Sequence, residues 1–332
     1  MRLGQSHART DPGRKRRHNE DAYVLQPPLF AIADGMGGAQ AGEVASALAA
    51  GALKDSGVDG GGEARVIELI QEANRRVHER ASTDAATTGM GTTMTVALVE
   101  QNGTVTIGHV GDSRAYRLRD ERLEQLTNDH SLVAELVRRG ELSPQEAEVH
   151  PQRSVITRAL GTDADVDVDA FTVEARAGDV YLVCSDGLSD MLDERTLEEI
   201  LRANRESLDA AARALVQAAN RAGGEDNITA ILFEIADDEP DPETAAHDGT
   251  GDAPTAVLSP DEEDTLHPED NVQPPPAPAP VDTMVVSADE IRAAAQAAEQ
   301  PHVSVARRVL VVLVILALIA LIVVLVVWGL AR

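Results

Sequence analysis

Four aspartates in the first 236 residues have the chemistry and the setting of metal ligands. Each lies at the end of a short apolar segment, next to glycine, serine or asparagine; they are Asp34, Asp112, Asp186 and Asp226. A single aspartate in such a position is most often part of a tight turn. Four of them favour one shared site, because oxygen-only ligands select Mg²⁺ or Mn²⁺ over zinc or copper. Two such ions close together generate hydroxide near neutral pH and hold a phosphoryl group.

The first of these aspartates ends the apolar segment Leu29–Ala33. A continuous apolar segment of this length is typical of a strand that is buried on both faces. We therefore predict a buried strand that stops at Asp34, with a sharp turn of the backbone at Asp34–Gly35. A glycine at this point would also let the main chain come close to an ion.

Short strands and pairs of helices follow one another along the rest of this region. Tight turns such as Gln101–Gly103 join neighbouring strands, so we expect antiparallel pairing. The order of elements predicts an α+β fold, an α-β-β-α sandwich of two antiparallel sheets with helices outside. The predicted strands are Met94–Val99, Thr104–Val110, Arg114–Leu118, Phe171–Val173, Val180–Cys184 and Ile228–Ile235; the predicted helices are Glu43–Leu53, Glu63–Arg80, Asn128–Gly140, Thr196–Leu201 and Ser207–Arg221; Pro144–Thr157 is predicted to be irregular.

The formal net charge of the 332-residue chain is −27, and most of it lies near the C-terminus. Residues 237–299 contain 17 Asp or Glu and one Arg, a net charge of −16. An acidic surface argues against sequence-independent binding of nucleic acids, which needs a positive face. The single cysteine excludes an internal disulfide and fits a reducing compartment. Met1–Asp21 is polar and basic and has no apolar segment of a secretory signal.

The basic segment Thr10–Asp21 allows two interpretations. On its own it would be a solvated loop or a patch for nucleic acid. Because it precedes the predicted strand that leads to Asp34, we place it beside the first carboxylate. An arginine in that position could bind a phosphate through two hydrogen bonds.

Residues 237–306 and 309–330 differ in composition from the rest of the chain. Ten of the sixteen prolines lie between Pro240 and Pro280, among acidic clusters, which predicts a disordered linker over 237–306. Residues 309–330 carry no charge, and at 1.5 Å per residue a helix of this length is about 33 Å long, enough to cross a bilayer. The positive pair Arg307–Arg308 before it predicts a tail anchor that leaves residues 1–236 on the cytoplasmic side of the cell membrane.

Six segments resemble, in order, the motifs of the metal-dependent Ser/Thr protein phosphatase family, the PPM or PP2C type, in its bacterial form. The resemblance covers about residues 1–237. It implies an α-β-β-α sandwich with a binuclear Mn²⁺ or Mg²⁺ site, and hydrolysis of phosphoserine and phosphothreonine in proteins. The matching segments are Arg16–Asp21 (Arg-x-x-Asn-Glu-Asp), Asp34–Gly38, Gly89–Thr93, Gly111–Arg114, Ser185–Gly187 and Asp226–Asn227.

The resemblance implies a set of metal ligands. Asp34 would bridge the two ions, and Gly35 would supply its carbonyl oxygen. Asp186 and Asp226 would complete the two coordination shells. Asp112, together with Asp186, would hold a third and looser ion.

The resemblance also implies the residues that act on the substrate. Arg16, four residues before Glu20, would bind the phosphate, with the adjacent Arg17 as an alternative. Glu20 and Asp21 would accept hydrogen bonds from waters on the metal ions. Asn128–Gly161 matches the variable flap that overhangs the site.

One position departs from part of the family: Met36 stands where some members have a histidine that is proposed as the general acid. The leaving alkoxide needs a proton. Its best source is a water on the third ion; His130 and His150 in the flap are weaker candidates, because a lone histidine is more often a packing or surface residue. Cys184 lacks the arginine six residues later that a cysteine phosphatase needs, so we predict a small buried apolar residue.

Two other functions fit parts of the sequence. A non-catalytic module that binds phosphoproteins would not need to retain all four aspartates, and a two-metal nuclease would need a positive groove. The sequence favours a monomeric, membrane-tethered phosphatase. Its partners would be phosphorylated proteins and a membrane-associated Ser/Thr protein kinase that it opposes.

The tether leads to a prediction for a shortened chain. A chain that ends near Ala236 should be soluble, monomeric and as active as the full chain on p-nitrophenyl phosphate. In cells it should dephosphorylate membrane proteins more slowly, because a tether raises the effective concentration without adding a contact. Loss of activity on the small substrate would show that the tail is part of the enzyme, and would contradict the tether.

Overall fold

The computed structural model describes residues 1–37, 41–57 and 60–237, and the backbone of 284–285. The described residues belong to one unit of the chain, Met1–Val285. The predicted linker, apart from residues 237 and 284–285, and the predicted transmembrane segment 309–330 lie outside the described residues. Within those ranges, no helix is both long enough and apolar enough to span a membrane.

Thirteen strands and seven helices make up the described part of the chain. The strands are β1 Arg2–Asp11, β2 Asp21–Gln26, β3 Leu29–Met36, β4 Gly91–Thr92, β5 Met94–Val99, β6 Thr104–Val110, β7 Arg114–Arg119, β8 Arg122–Gln125, β9 Val155–Ile156, β10 Asp169–Glu174, β11 Val180–Cys184, β12 Ile228–Ala236 and β13 Met284–Val285. The helices are α1 Ala41–Ser56, α2 Gly62–Thr83, α3 Leu132–Arg138, α4 Pro144–Glu148, α5 Asp186–Ser189, α6 Glu194–Ala203 and α7 Leu208–Ala222.

Eleven of these strands form two antiparallel sheets, as the sequence predicted. One sheet has the order β1-β12-β11-β7-β8. The other has the order β10-β6-β5-β3-β2, with β4 paired to the end of β3. The short strand β9 pairs in parallel with β13 instead.

Aromatic side chains fill the space between the two sheets. Phe30 of β3 stacks on Phe233 of β12 with ring centroids 4.3 Å apart, and Tyr181 of β11 stacks on the same ring at 4.9 Å. Because side chains alternate along a strand, Phe30, Ile32 and Asp34 face the same side of β3. The inward face of this strand therefore changes from apolar to acidic at its end.

Helices cover the outer faces of both sheets and complete the α-β-β-α sandwich. Helices α1 and α2 form one buried cluster with the outer side of the β3 sheet, through residues such as Ala49 and Ile70. Helices α6 and α7 form another with β11 and β12, through residues such as Leu197 and Leu215. The predicted layer order is confirmed.

Strand β3 shows that the turn predicted at Asp34–Gly35 is wrong. The strand continues through Gly35 and Met36, which pair with β4. A Cβ atom on Gly35 would lie 2.1 Å from the carbonyl oxygen of Gly42 in α1. Glycine is needed here because a helix packs directly on the strand backbone, not because the chain reverses.

The flap region also differs from its prediction. The predicted helix Asn128–Gly140 is shorter, since it begins after Ser131, whose hydroxyl caps the backbone of Ala134. The segment predicted to be irregular contains helix α4 and strand β9. Strands β1 and β8 and helix α5 were not predicted. Strand β1 lacks an apolar pattern because it is an edge strand whose side chains are only partly covered.

Candidate active site

The five aspartates of the predicted site meet at one end of the sandwich. Asp21 begins β2 and lies directly opposite Asp34 in β3. Asp112 follows β6, Asp186 begins α5 just after β11, and Asp226 precedes β12. All four of the other carboxyl groups raise the pKa of Asp34. The fold therefore brings together residues that are up to about 200 positions apart in the sequence.

Asp34 is at the centre of this acidic cluster, which we define as Asp21, Asp34, Asp112, Asp186 and Asp226. After burial, the charges of Asp21 and Asp186 contribute most to the raised pKa of Asp34. The Oδ1 atoms of Asp21, Asp112 and Asp186 are enclosed and have no hydrogen-bond partner in the described protein. Enclosed charged oxygens without partners are costly unless a proton or a cation is added.

Burial and mutual repulsion raise the pKa values within the acidic cluster. Burial is the largest cause for Asp34 and Asp186, and neighbouring aspartates add to it, so that both pKa values lie well above the usual range. Burial, followed by the charges of Asp129 and Asp190, raises the pKa of Asp112 to about 7. Without a metal ion, some carboxyl groups of the acidic cluster therefore remain protonated at neutral pH.

Two buried hydroxyl groups orient Asp21. Ser185 Oγ donates to Asp21 Oδ2 at 2.8 Å, and Thr229 Oγ1 donates to the same oxygen at 2.6 Å. Burial raises the pKa of Asp21 to about 7, and these donors lower it in part. Sequence reasoning missed both hydroxyls as supports, although Ser185 immediately precedes a predicted ligand.

Asn227 fixes the N-terminal loop to the acidic cluster. Its Oδ1 accepts a hydrogen bond from the backbone N–H of Glu20 at 2.8 Å. Its Nδ2 donates to the carbonyl oxygens of Pro12 at 3.0 Å and His18 at 2.9 Å. One buried side chain therefore holds both ends of the loop that carries Arg16. The sequence matched this asparagine to a motif but did not reveal this role.

Arg16, rather than Arg17, contacts the acidic cluster. Arg16 Nη2 donates to Asp226 Oδ2 at 2.7 Å, whereas Arg17 is exposed. Burial raises the pKa of the nearby Glu20, an effect that Arg16 opposes and Asp226 reinforces. The guanidinium thus lies at the edge of the cluster, where a phosphate would meet the carboxylates.

Neither flap histidine is placed as a proton donor. His130 Nδ1 accepts from the backbone N–H of Gly111 at 3.0 Å, and its Nε2 lies 3.1 Å from Asp169 Oδ2. His130 is buried and supports the backbone just before Asp112. His150 Nδ1 accepts from the backbone of Gln152 at 3.1 Å and is not part of the cavity beside the cluster.

Two other residues are apolar packing elements. Met36 is buried against Ile156 and Ala159 of the flap. Cys184 is buried between β11 and the helices outside it, and burial raises the pKa of its thiol to about 12. The prediction that Cys184 is a buried apolar residue is confirmed.

A cavity of about 930 Å³ lies beside the acidic cluster. Asp112 and Asp186 form part of its wall. The flap contributes Val133, Val137 and Arg153, and the opposite side comes from the segment that follows α5. The flap therefore adjoins two of the aspartates, as the sequence predicted, and leaves room for a peptide.

The acidic cluster fits a divalent cation by its donor chemistry, although it is not yet arranged around one. In the described ranges, no three His, Cys, Asp or Glu side chains are already arranged to hold a metal ion. Asp226 is paired with Arg16, and the charges of the four other aspartates act on Asp34. The unpartnered oxygens of the acidic cluster are carboxylate oxygens, the ligand type of Mg²⁺ and Mn²⁺. A cation would therefore replace protons and arginine as the counter-charge.

The raised pKa of Asp112 predicts a pH-dependent effect of its removal. A carboxyl group whose pKa is higher in the folded protein destabilises it as pH rises from about 4 to 7. In EDTA, Asp112→Asn should therefore raise the free energy of unfolding at pH 8, on the order of 1–4 kcal/mol, and should have almost no effect at pH 4. Urea denaturation at both pH values measures the difference.

Asp193→Asn is the matched control. Asp193 is exposed, caps helix α6 through Thr196, and has a lowered pKa. Its replacement should leave stability unchanged or lower it slightly at pH 8. Equal effects of Asp112→Asn at pH 4 and pH 8 would contradict the repulsion in the acidic cluster.

Comparisons with known proteins agree with this geometry. Residues 4–232 match the family model described as protein phosphatase 2C. The serine/threonine phosphatase stp of Listeria innocua is 42% identical over 238 residues, which cover 68% of this chain and 94% of the relative. The serine/threonine protein phosphatase PstP of Mycobacterium tuberculosis is 42% identical over 233 residues, or 69% of this chain and 45% of the relative.

Solved structures show the same fold. The crystal structure of the Mycobacterium tuberculosis phosphatase PstP/Ppp is 39% identical, with a TM-score of 0.67, and the match covers 71% of this chain and 100% of that one. A PstP catalytic domain in complex with two manganese ions is 37% identical, with a TM-score of 0.64 and coverage of 71% and 99%. The chain therefore belongs to the protein phosphatase 2C family and is a metal-dependent Ser/Thr protein phosphatase.

Proposed function

We propose that this phosphatase is tethered to the cell membrane and hydrolyses phosphoserine and phosphothreonine by attack of a water activated at a binuclear metal site. The observation that carries this proposal is the acidic cluster, whose enclosed carboxylate oxygens lack partners beside the guanidinium of Arg16. The cavity next to the cluster is large enough for a phosphorylated segment of a protein.

Four residues would hold two Mn²⁺ or Mg²⁺ ions: Asp34, the carbonyl oxygen of Gly35, Asp186 and Asp226. Asp112 and Asp186 would hold a third. The two manganese ions in the similar PstP catalytic domain support the choice of metal. When bound, such ions supply a nucleophile near neutral pH and stabilise charge on the phosphoryl group.

Arg16 would bind the phosphate of the substrate. Its guanidinium is already 2.7 Å from a carboxylate oxygen of Asp226, so a phosphate oxygen could replace that partner. Asp21 would orient water, because two hydroxyls fix its Oδ2 while its Oδ1 is free to accept a further hydrogen bond. Glu20, held through its backbone by Asn227, would do the same.

The leaving serine or threonine oxygen needs a proton during hydrolysis. His130 is committed to Gly111 and Asp169, and Met36 has no proton to give. We assign the proton to a water held at Asp112, which lines the cavity where the substrate would lie. The flap histidines then act only as structural supports.

The sequence also supports a proposal for the cellular setting. The uncharged segment 309–330 would anchor a monomeric enzyme in the membrane, with the catalytic unit in the cytoplasm and the linker as a tether. Its natural counterpart would be a Ser/Thr protein kinase at the same membrane. The net charge of −27 disfavours nucleic acid as a partner.

Hydrolysis of p-nitrophenyl phosphate and of a phosphothreonine peptide tests the function directly. We expect turnover in Mn²⁺ and none in EDTA. Binding of the phosphopeptide without release of phosphate in any divalent metal would show a non-catalytic module instead.

Removal of one ligand charge should abolish turnover and leave the fold intact. We predict that Asp186→Asn lowers kcat in saturating Mn²⁺ by about a hundredfold or more, since the ions would lose a shared ligand. Asp209→Asn, a change of the same kind at a surface ion pair with Arg9 and Arg213, should retain full activity. A rate above about a tenth of the unchanged enzyme, with a normal circular dichroism spectrum, would refute this role of Asp186.

A further inference from the structure

A basic loop, residues 14–18, lies beside the acidic cluster, and most of its positive side chains form no ion pair. Its central residue Arg16 is paired with Asp226. The other four side chains are exposed, and no carboxylate in the described ranges forms an ion pair with them; they are Arg14, Lys15, Arg17 and His18. The protein is strongly acidic as a whole, so these exposed positive side chains give the surface next to the catalytic centre a different charge. They can attract anionic groups to that surface.

The backbone of the basic loop is fixed in place. The N–H of Arg14 donates to the carbonyl oxygen of Gly224 at 2.7 Å. Gly13 has a φ of +78°, and a Cβ atom there would lie 2.2 Å from the carbonyl oxygen of Asp226. Asn227 Nδ2 donates to the carbonyl oxygen of Pro12, just before the loop, and to that of His18, its last residue. The loop therefore presents its charges from a constant position next to Asp226.

The phosphate of a substrate would bind at Arg16, so the position of Arg16 sets the distance from that phosphate to the neighbouring positive charges. Lys15 and Arg17 adjoin Arg16 directly, and consecutive Cα atoms are about 3.8 Å apart. An extended peptide advances about 3.3 Å per residue. An anionic group within about three residues of the bound phosphoresidue would thus come within reach of a long basic side chain.

We propose that Arg14, Lys15 and Arg17 form a second anion subsite, which selects phosphoproteins that carry a further negative group near the phosphoserine or phosphothreonine. This inference rests on the proposed function, because it places the hydrolysed phosphate at Arg16. The group recognised is an anion, either a carboxylate of Asp or Glu or a second phosphate. The subsite sets specificity and does not touch the reacting atoms.

The experiment compares kcat/KM of the full chain on four phosphothreonine peptides. One has neutral flanks, one has two glutamates before the phosphothreonine, and one has two glutamates after it. The fourth has a non-hydrolysable phosphonate analogue of phosphoserine two residues away. We expect an anionic flank on at least one side to raise kcat/KM by about five- to tenfold at low salt, as for two or three exposed ion pairs. The gain should shrink in 0.5 M salt.

Charge-removing variants locate the subsite. Arg14→Gln/Lys15→Gln and Arg17→Gln should each reduce the preference to less than about half, with kcat/KM on the neutral peptide unchanged. Arg14→Lys should retain the preference, which separates charge from loop structure. Arg122→Gln/Arg176→Gln is the control and removes two exposed arginines. Both lie near the strand ends that are farthest from the acidic cluster, so this variant should retain the full preference for anionic peptides.

Several outcomes would overturn the subsite. One is that the unchanged enzyme shows no preference for anionic peptides, and another is that the loop variants keep the full preference. A third is that the loop variants lose binding to anionic lipid vesicles while their peptide preference stays unchanged. Activity on p-nitrophenyl phosphate and on the neutral peptide is read in every case. Its absence in the unchanged enzyme would refute the proposed function itself, whereas its presence without discrimination would refute only the subsite.

Discussion

The main physical constraint on this site is the repulsion among five carboxyl groups that the fold holds together at one end of the sandwich. Burial raises the pKa of Asp34 and Asp186, and each neighbouring aspartate adds to the effect. Such an arrangement costs free energy in the folded state, because desolvated like charges are stabilised neither by water nor by each other. The fold supports it through the burial of large apolar clusters on both faces of each sheet. A cation is the counter-charge that the geometry lacks.

The glycines beside the acidic cluster allow other chain segments to pack closely on the backbone, rather than allowing the chain to reverse direction. The two aspartate-glycine pairs of the acidic cluster, Asp34–Gly35 and Asp186–Gly187, show this. A Cβ atom on Gly35 would lie 2.1 Å from the carbonyl oxygen of Gly42, and one on Gly187 would lie 2.1 Å from that of Asn227. Each glycine lets a neighbouring segment press against the chain directly beside a carboxylate. These contacts and the hydrogen bonds of Asn227 connect both sheets to the N-terminal loop, so the arginine at the edge of the cluster has a fixed position.

The sequence predicted the layers of the fold because apolar periodicity reports burial. Strands such as Val180–Cys184 and helices such as α7 carry that pattern clearly. It failed for β1, a largely polar strand that pairs with β12 through its backbone and through the hydroxyls of Thr10 and Thr229. The acidic residues of the site could be named from motifs, but their supports could not. Ser185, Thr229 and Asn227 act through contacts between segments far apart in the chain. The choice between Arg16 and Arg17 likewise needed the direction of two adjacent side chains, which spacing does not specify.

Counting the protons released when Mn²⁺ binds tests most directly whether a cation replaces protons in the acidic cluster. Calorimetric titrations of the metal-free full chain, in buffers with different ionisation enthalpies, give that count at each pH. Because Asp21 and Asp112 have pKa values of about 7 and those of Asp34 and Asp186 lie well above the usual range, we expect the release of at least about one proton per protein near pH 6.5. The number should fall as the pH is raised. Binding of Mn²⁺ without proton release at any pH between 6 and 9 would contradict the account.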